Sequence, residues 1–489
     1  MGLLSKIISM PPIGRIALKF LKKRAFKPYQ IPIEEAIEKQ YRMLCTKFKK
    51  MQKTDIGRKL GISKGVKLQN LPITEYSFYQ PFYVNPSPTA FMYPLEDYIR
   101  VKTSGTAGKE KWFLLPRKKI LEAFKETVIP FIFAGFHDGK RIALEYGDNV
   151  YINFGPAPFI SGILVIMGST KIKPPFNFVP DVNLPYKDKI QYFILNYKEI
   201  DAAMVPVSTL ISQIMPAIRT PIKLKGLLVP DTPALGTYLD EIQDFTGVTP
   251  RTAYGSVETG PCTLPSVQHL MGFMFDLRRG VFEFLPATGK EAKKEKTVAI
   301  NEVNVGETYR LLYTDFYSEI TRYDTKDSFE CIAKGDQILG TEFPVFKFLG
   351  RLDRTISLLN FTRISEDELV SAFKAAEVPI IDFTTKVESE KGMEYILIYV
   401  EQRGGMQPAE IKKRLHERLL EVDRDYRNLV EFFNYIPIRV RNVPNEAFAE
   451  YLKGKSGTLP KVERIDMKEK EFTRFLRIVG RKTQLGNND

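Results

Sequence analysis

Short β-prone runs alternate with helical patterns through the first two thirds of the chain, and this alternation most constrains the fold. The β-prone runs lie at residues 142–146, 163–167, 203–207, 227–229, 281–285 and 309–313. Helical patterns such as 190–197 and 209–218 lie between them. Alternation of this kind predicts an α/β body with at least one partly parallel sheet.

The pattern changes after about residue 350, where a smaller α+β unit is expected. Ser365 is a plausible N-cap for a helix, and a strand at 395–400, a long charged helix from Pro408 to about Val422 and a strand at 436–440 follow. The 489 residues are also too many for one ordinary core. The sequence therefore predicts a segment at 1–30, a large domain at 31–349, a connection at 350–354 and a small domain at 355–489.

One loop of the large domain has the composition of a phosphate-binding loop. Residues 103–111 consist of Thr-Ser-Gly-Thr-Ala-Gly-Lys-Glu-Lys. Glycines let successive backbone N–H groups curl around an anion, while hydroxyls add donors and lysines add positive charge. The glycine spacing differs from that of the P-loop of nucleotide triphosphatases. A solvated turn is the alternative interpretation of this stretch alone.

The cysteine and histidine content and the net charge exclude several classes of site and partner. Cys45, Cys262 and Cys331 lie far apart in the sequence, as do the three histidines, so neither a disulfide framework nor a zinc site is expected. Free cysteines of this kind indicate that the protein works in a reducing cytoplasm. The net charge of +14 suits an anionic partner, but no nucleic-acid motif is present and none is expected as a partner. No apolar stretch is long enough to span a bilayer.

The basic N-terminal segment, residues 1–27, is amphipathic. Ile7, Ile16 and Phe20 recur among several lysines and arginines, without the features of a signal peptide. A helix packed on the body of the protein is the commoner use of such a pattern. Weak peripheral contact with a membrane surface is the alternative.

Four further stretches carry residue types that suit a nucleotide. The first, 253–260, combines Tyr254, an aromatic suited to stacking, with Glu258, a carboxylate suited to Mg²⁺. The second, 319–327, ends in Asp327, an acid able to hold a ribose diol. The third and fourth are 350–356 and 459–465, which contain Arg351 and Lys461.

In this order the stretches resemble the motifs of the adenylate-forming superfamily of acyl-CoA synthetases, luciferases and peptide-synthetase adenylation domains. The similarity is greatest to the Gretchen Hagen family of acyl-acid amido synthetases, carried by Phe-Glu-Phe-Leu-Pro at 282–286, Phe-Lys-Phe at 346–348 and Pro-Lys-Val at 460–462. The resemblance extends over about residues 32–466. It implies a large N-terminal adenylate-forming domain with sheets flanked by helices, plus a small mobile α+β C-terminal domain that carries a catalytic lysine.

The resemblance also implies roles for individual residues, with ATP and Mg²⁺ as cofactors. The phosphate-binding residues would be Thr103, Ser104, Gly105, Thr106 and Gly108, with Lys111 as a catalytic cation. Gly255 and Ser256 would line the nucleotide beside Tyr254, which would stack on adenine, and Glu258 would be the metal ligand. Asp327 and Arg351 would hold the ribose. Lys461 would approach the α-phosphate when the small domain swings about a hinge at 350–354.

The implied reaction joins a carboxylic acid to an amine, with an amino acid favoured and coenzyme A as the alternative acceptor. Three departures from the superfamily pattern qualify it: Val257 replaces a hydroxyl residue, Lys326 replaces the glycine before the ribose acid, and Glu110 replaces a proline. They leave open a degenerate family member that binds a ligand without turnover.

Overall fold

The computed structural model describes residues 11–102, 111–171, 174–230, 235–236, 238–287, 296–351, 355–359, 362–453 and 462–485. The chain divides into two compact units, Met1–Thr103 with Trp112–Leu352 and Ser104–Lys111 with Asp353–Asp489. Helices and strands alternate in the first unit, and the second combines a small sheet with helices. The predicted fold class is therefore confirmed.

The helices of the first unit flank its sheets. They are α1 (Pro11–Arg24), α2 (Ile33–Met51), α3 (Asp55–Lys59), α4 (Tyr76–Val84), α5 (Arg117–Ala123), α6 (Ile129–Gly135), α7 (Ile160–Lys171), α8 (Tyr186–Asn196), α9 (Val207–Thr209), α10 (Met215–Ile218) and α11 (Leu239–Thr246). A π-helical turn at Phe124–Val128 joins α5 to α6, and another at Leu210–Ile214 joins α9 to α10.

A five-stranded parallel sheet and a six-stranded antiparallel sheet form the body of the first unit. The parallel sheet has the order β4-β3-β5-β6-β7, with β3 (Asn149–Ile152), β4 (Asn177–Val179), β5 (Ala202–Met204), β6 (Gly226–Pro230) and β7 (Arg251–Ala253). The antiparallel sheet has the order β10-β11-β15-β14-β13-β12, with β10 (Thr263–Pro265), β11 (Phe273–Phe275), β12 (Gly280–Pro286), β13 (Thr308–Asp315), β14 (Tyr323–Asp336) and β15 (Thr341–Arg351). Two hairpins accompany them, β1 (Tyr98–Lys102) with β2 (Trp112–Pro116) and β8 (Gly255–Ser256) with β9 (Gly260–Pro261).

Two of the predicted β-prone runs are not strands. Residues 163–167 lie inside helix α7, because a short apolar run has no periodicity that separates a buried strand from a buried helix. Residues 142–146 contribute only an isolated bridge, between His137 and Ile142, and strand β3 begins after them. The other four runs coincide with or overlap β5, β6, β12 and β13.

The second unit contains a hairpin, a three-stranded sheet and helices. Its strands are β16 (Thr355–Leu358), β17 (Thr362–Ser365), β18 (Ile380–Glu390), β19 (Met393–Gln402) and β20 (Ile438–Asn442). Its helices are α12 (Glu366–Ala375), α13 (Pro408–Val422), α14 (Arg424–Phe433), α15 (Ala447–Lys453) and α16 (Glu469–Leu485). Ser365 caps α12 by accepting from the Glu368 N–H, and the Glu368 carboxylate accepts from the Ser365 N–H in return.

Candidate functional site

Two of the predicted nucleotide-binding residues touch each other. Tyr254 follows the carboxyl end of β7, the edge at which parallel sheets bind ligands, and Asp327 lies on β14. The Tyr254 hydroxyl donates a hydrogen bond of 2.6 Å to the Asp327 carboxylate. Tyr254 is 8% exposed and Asp327 4%, so the contact is screened from water. It joins motifs separated by more than seventy residues of sequence.

The ring of Tyr254 packs among phenylalanines. Phe273 lies nearly parallel to it at 6.1 Å, Phe348 is tilted at 5.8 Å and Phe329 meets it edge-on at 4.9 Å. Burial raises the pKa of Tyr254 well above its ordinary value, and the Asp327 charge adds to that rise. The hydroxyl therefore remains a proton donor to Asp327. Adenine stacking by Tyr254 stays a prediction.

Arg351 is the cross-strand partner of Asp327. The antiparallel register of β14 and β15 pairs Asp327 with Arg351, at the last residue of β15. Directly opposed residues on adjacent strands project from the same face of a sheet. The backbone thus brings the two predicted ribose-binding residues together, while the Arg351 side chain lies outside the described part of the structure.

Lys326 stands immediately before Asp327 in a left-handed backbone conformation, with φ of +60°. Its N–H donates to the Asp324 carboxylate at 3.0 Å. Its ammonium pairs with Glu75 at 2.6 Å and with Asp324 at 2.7 Å. The position suits the glycine of the superfamily pattern, and the ion pairs hold a lysine there instead.

Glu258 lies in the turn between β8 and β9 and is half-buried. Its carboxylate accepts a hydrogen bond of 3.1 Å from the Tyr323 hydroxyl on β14. A Cβ on Gly255 would come within 3.2 Å of the Gly260 carbonyl oxygen, so the hairpin is tight at that glycine. The Ser256 hydroxyl bonds within the turn, with the Thr259 hydroxyl at 3.2 Å and the Thr259 N–H at 3.3 Å.

A single carboxylate at this turn fits a metal held mainly by phosphate. Mg²⁺ commonly takes one or two protein carboxylates together with substrate phosphate oxygens and water. Among the described residues there is no group of three or more His, Cys, Asp or Glu side chains able to hold a metal. The Glu258 carboxylate is therefore compatible with a nucleotide-bound Mg²⁺.

Lys119 and Asp315 support the Glu258 turn, a role that no sequence pattern indicated. The Lys119 ammonium donates to the Glu258 backbone carbonyl and pairs with the Asp315 carboxylate. Both side chains are buried. Burial opposes ionisation of Asp315, but the positive charges of Lys119, Arg279 and Lys47 together outweigh it, so the pKa of Asp315 lies below its ordinary value. A lysine at the start of a helix cannot be distinguished by sequence from one on the surface.

Most of the predicted phosphate-binding loop lies outside the described residues. That applies to Thr103, Ser104, Gly105, Thr106 and Gly108. The strands at its two ends are described, and Lys102 pairs with Trp112 in the β1–β2 hairpin. Lys111 is half-buried directly before β2.

Lys461 also lies outside the described residues, although the segment after it is well anchored in the second unit. Arg464 pairs with Asp382 at 2.7 Å and with Glu366 at 3.3 Å. The Arg464 carbonyl accepts hydrogen bonds of 2.8 Å from both the N–H and the hydroxyl of Thr385 on β18. The residues that follow Lys461 therefore run along β18.

No helix in the described ranges is long and apolar enough to cross a membrane.

One family model matches part of the chain, and solved structures share its fold. Residues 273–351, which contain β11 to β15, match the model of the GH3 family central domain. No curated protein matches the chain. Among solved structures, the AtGH3.15 acyl acid amido synthetase in complex with 2,4-DB is 15% identical with a TM-score of 0.50, covering 94% of this chain and 95% of its own.

A second structural relative is a 2-hydroxyisobutyryl-CoA ligase in complex with 2-HIB-AMP and CoA. It is 14% identical with a TM-score of 0.62, and 94% of each chain is covered. The same ligase in its postadenylation state is 13% identical with a TM-score of 0.51, covering 92% of this chain and 94% of its own. The resemblance to the Gretchen Hagen family, within the adenylate-forming fold, is thereby confirmed.

Proposed function

Since residues 273–351 carry the central domain of the GH3 family on the fold of the adenylate-forming ligases, we propose that this protein activates a carboxylic acid with ATP and transfers the acyl group to an amine. An amino acid is the favoured acceptor. The supporting observations are the hydrogen bond from Tyr254 to Asp327 and the cross-strand pairing of Asp327 with Arg351, which join three separate motifs.

The first step joins the acid to the nucleotide. A carboxylate oxygen attacks the α-phosphorus of ATP, the bond to the bridging oxygen of pyrophosphate breaks, and pyrophosphate leaves with the electron pair. Both reactants are anions, so catalysis consists mainly of positioning and charge neutralisation. Asp327 and Arg351 hold the ribose. Residues 103–111 hold the β- and γ-phosphates, with Lys111 as the cation.

The second step transfers the acyl group. The amine nitrogen attacks the acyl carbon and gives up a proton to solvent, the carbon–oxygen bond to AMP breaks, and AMP leaves with the electron pair. Lys461 acts in the first step on the α-phosphate, and the connection at 350–354 serves as the hinge on which the small domain changes position between steps. When bound at Glu258, Mg²⁺ neutralises charge on the phosphates.

Coenzyme A is the second candidate acceptor, because one structural relative is a CoA ligase solved with CoA. The two acceptors are distinguished by supplying each one to preformed acyl-adenylate. Release of AMP with amino acids but not with coenzyme A supports the amide-forming assignment. Release of AMP with coenzyme A but not with amino acids contradicts the amide-forming assignment and remains consistent with the adenylation step.

The decisive test is acid-dependent pyrophosphate release across a broad panel of carboxylic acids, followed by two variants. We expect Glu258→Ala to lower the maximal rate about 10²–10³-fold with little change in ATP affinity, because the metal neutralises charge that develops in the transition state. We expect Asp327→Ala to raise the KM for ATP more than it lowers the rate, since the ribose is held equally in both states.

Glu307, an exposed carboxylate in the same unit, supplies the control. Glu307→Ala should behave as the parent in every assay. Thermal melts without nucleotide should place Glu258→Ala near the parent and Asp327→Ala lower, because Asp327→Ala also removes the buried hydrogen bond from Tyr254. ATP-Mg²⁺ should stabilise Asp327→Ala less than the parent. Absence of pyrophosphate release with every acid would instead favour a ligand-binding family member without turnover.

A further inference from the structure

Helix α1 has one apolar face packed on the first unit. Gly14 and Leu18 are buried, and Leu18 belongs to a core cluster that includes Ile142 and Leu144. A Cβ on Gly14 would lie 1.9 Å from the Tyr146 ring, so the helix approaches that ring closely. The packed helix predicted from the sequence is what the structure contains. Docking on the body of the protein thus uses only the Gly14–Leu18 side of α1.

The opposite side of α1 carries a second apolar face that is exposed. Ile13 is 38% exposed, Ile16 70% and Phe20 52%. Spacings of three and four residues place these side chains on one stripe of a helix. Three large apolar side chains on one stripe of a short helix suit burial in an apolar phase.

A basic pocket of about 430 Å³ lies along the flank of the same helix. Its lining includes Lys19, Lys22 and Lys23 from α1 and Arg141 from the loop after α6, with Glu145 as a carboxylate among them. Lys22 donates to the Ile142 carbonyl at 3.0 Å, which fixes its ammonium at the wall. Three lysines and one arginine around one acid make the pocket suited to an anion.

We propose that α1 docks the protein on an anionic phospholipid surface, with a headgroup phosphate in the basic pocket and the Ile13–Ile16–Phe20 face in the acyl region. An anion in solution would account for the pocket and leave the exposed apolar stripe unused. An apolar protein partner would account for the stripe and leave the basic pocket unused. Only a surface that is anionic at its headgroups and apolar beneath them uses both features of one helix.

The test is co-sedimentation of the full-length protein with vesicles of phosphatidylcholine alone and of phosphatidylcholine mixed with phosphatidylserine. We expect sedimentation with the mixed vesicles only, falling as the salt concentration rises. The double variant Ile16→Ser with Phe20→Ser and the double variant Lys19→Gln with Lys23→Gln should each reduce the bound fraction at least about 5-fold. All four side chains are exposed, and thermal melts of the two variants should match the parent.

Lys64 and Lys67, exposed lysines in the same unit, give the matched control. Lys64→Gln with Lys67→Gln removes the same charge and should bind as the parent. Equal binding by neutral vesicles, loss of binding in the control, or unchanged binding in either α1 variant would overturn the proposal. The proposal would also be overturned if the protein bound inorganic phosphate in a fluorescence titration but sedimented with no vesicles. The pocket would then serve a free anion.

Discussion

Lys326 occupies a backbone position in which glycine would be less strained. A left-handed residue with a Cβ costs about 1–2 kcal/mol, and Lys326 has φ of +60°. We expect Lys326→Ala to lower the free energy of unfolding by about 1–2 kcal/mol, because it keeps the strain and loses the pairs with Glu75 and Asp324. Lys326→Gly should lose about 1 kcal/mol less, since it removes the strain. Urea melts of the two variants measure the difference, and equal losses would exclude strain at this residue.

The Tyr254 hydroxyl orients the carboxylate proposed to hold ribose. We expect Tyr254→Phe to cost about 1–3 kcal/mol of stability, because Asp327 then loses a buried hydrogen bond. The KM for ATP should rise about 3–10-fold while the maximal rate changes little, as befits a group acting on ground-state binding. Tyr41→Phe, at an exposed tyrosine, is the control and should leave both quantities unchanged. A fall in rate without a change in KM would assign the hydroxyl a different role.

At the scale of elements, a buried ammonium links α2 to the loop before β14. Lys47 donates to the Ile320 carbonyl and is almost fully buried. Burial lowers the pKa of Lys47 to about 7, and the charges of Asp315 and Glu319 limit the fall. Above that pH the unfolded chain binds a proton that the folded chain has released, so stability rises with pH.

The pH dependence of unfolding tests this link. Between pH 7 and about pH 9 we expect the free energy of unfolding to gain a contribution of up to about 1.4 kcal/mol per pH unit from Lys47. Lys47→Met should remove that slope, whereas Lys49→Met, at an exposed lysine of the same helix, should keep it. Parallel pH profiles for the parent and Lys47→Met would show that Lys47 keeps its charge in the folded state.

Sequence predicts the elements whose signal is local. The Ser365 N-cap and the bounds of α13 could be predicted because a cap, a terminal proline and a helical stripe are all local in sequence. The helical state of residues 163–167 could not be predicted, since a short run of Ile, Leu, Val and Met suits a strand as well as a buried helix such as α7. Their neighbours in the folded chain decide the outcome.

The same distinction applies to the candidate site. The candidate site residues identified from the motifs are Tyr254, Glu258, Asp327 and Arg351. The structure places the backbone of Arg351 opposite Asp327. Motif spacing did not identify Lys119, because the partners of Lys119, Asp315 and the Glu258 carbonyl, lie far away in sequence. Long-range partners of buried charges carry no local signal.

At the scale of the whole molecule, the proposed chemistry draws on both units. The first unit holds Tyr254, Glu258 and Asp327, and the second anchors the segment that follows Lys461 through Arg464 and β18. Such a division predicts that the proposed ribose and metal binding can be separated from adenylation by substitution, since Asp327 and Glu258 belong to a different unit from the segment after Lys461.

Lys461→Ala is the substitution that separates them. We expect this variant to bind MgATP within a few-fold of the parent, because the residues proposed to hold the ribose and the metal belong to the first unit. We expect it to lose acid-dependent pyrophosphate release about 10²–10³-fold, because the proposed cation at the α-phosphate is removed. Lys470→Ala, at an exposed lysine near the start of α16, should retain both properties. Amide formation from acyl-adenylate supplied in solution should be affected less than adenylation, since no charge then builds on the α-phosphate against a second anion. A variant that adenylates at the parental rate would remove Lys461 from the mechanism, and one that loses MgATP affinity in proportion to its rate would make the lysine a binding residue instead.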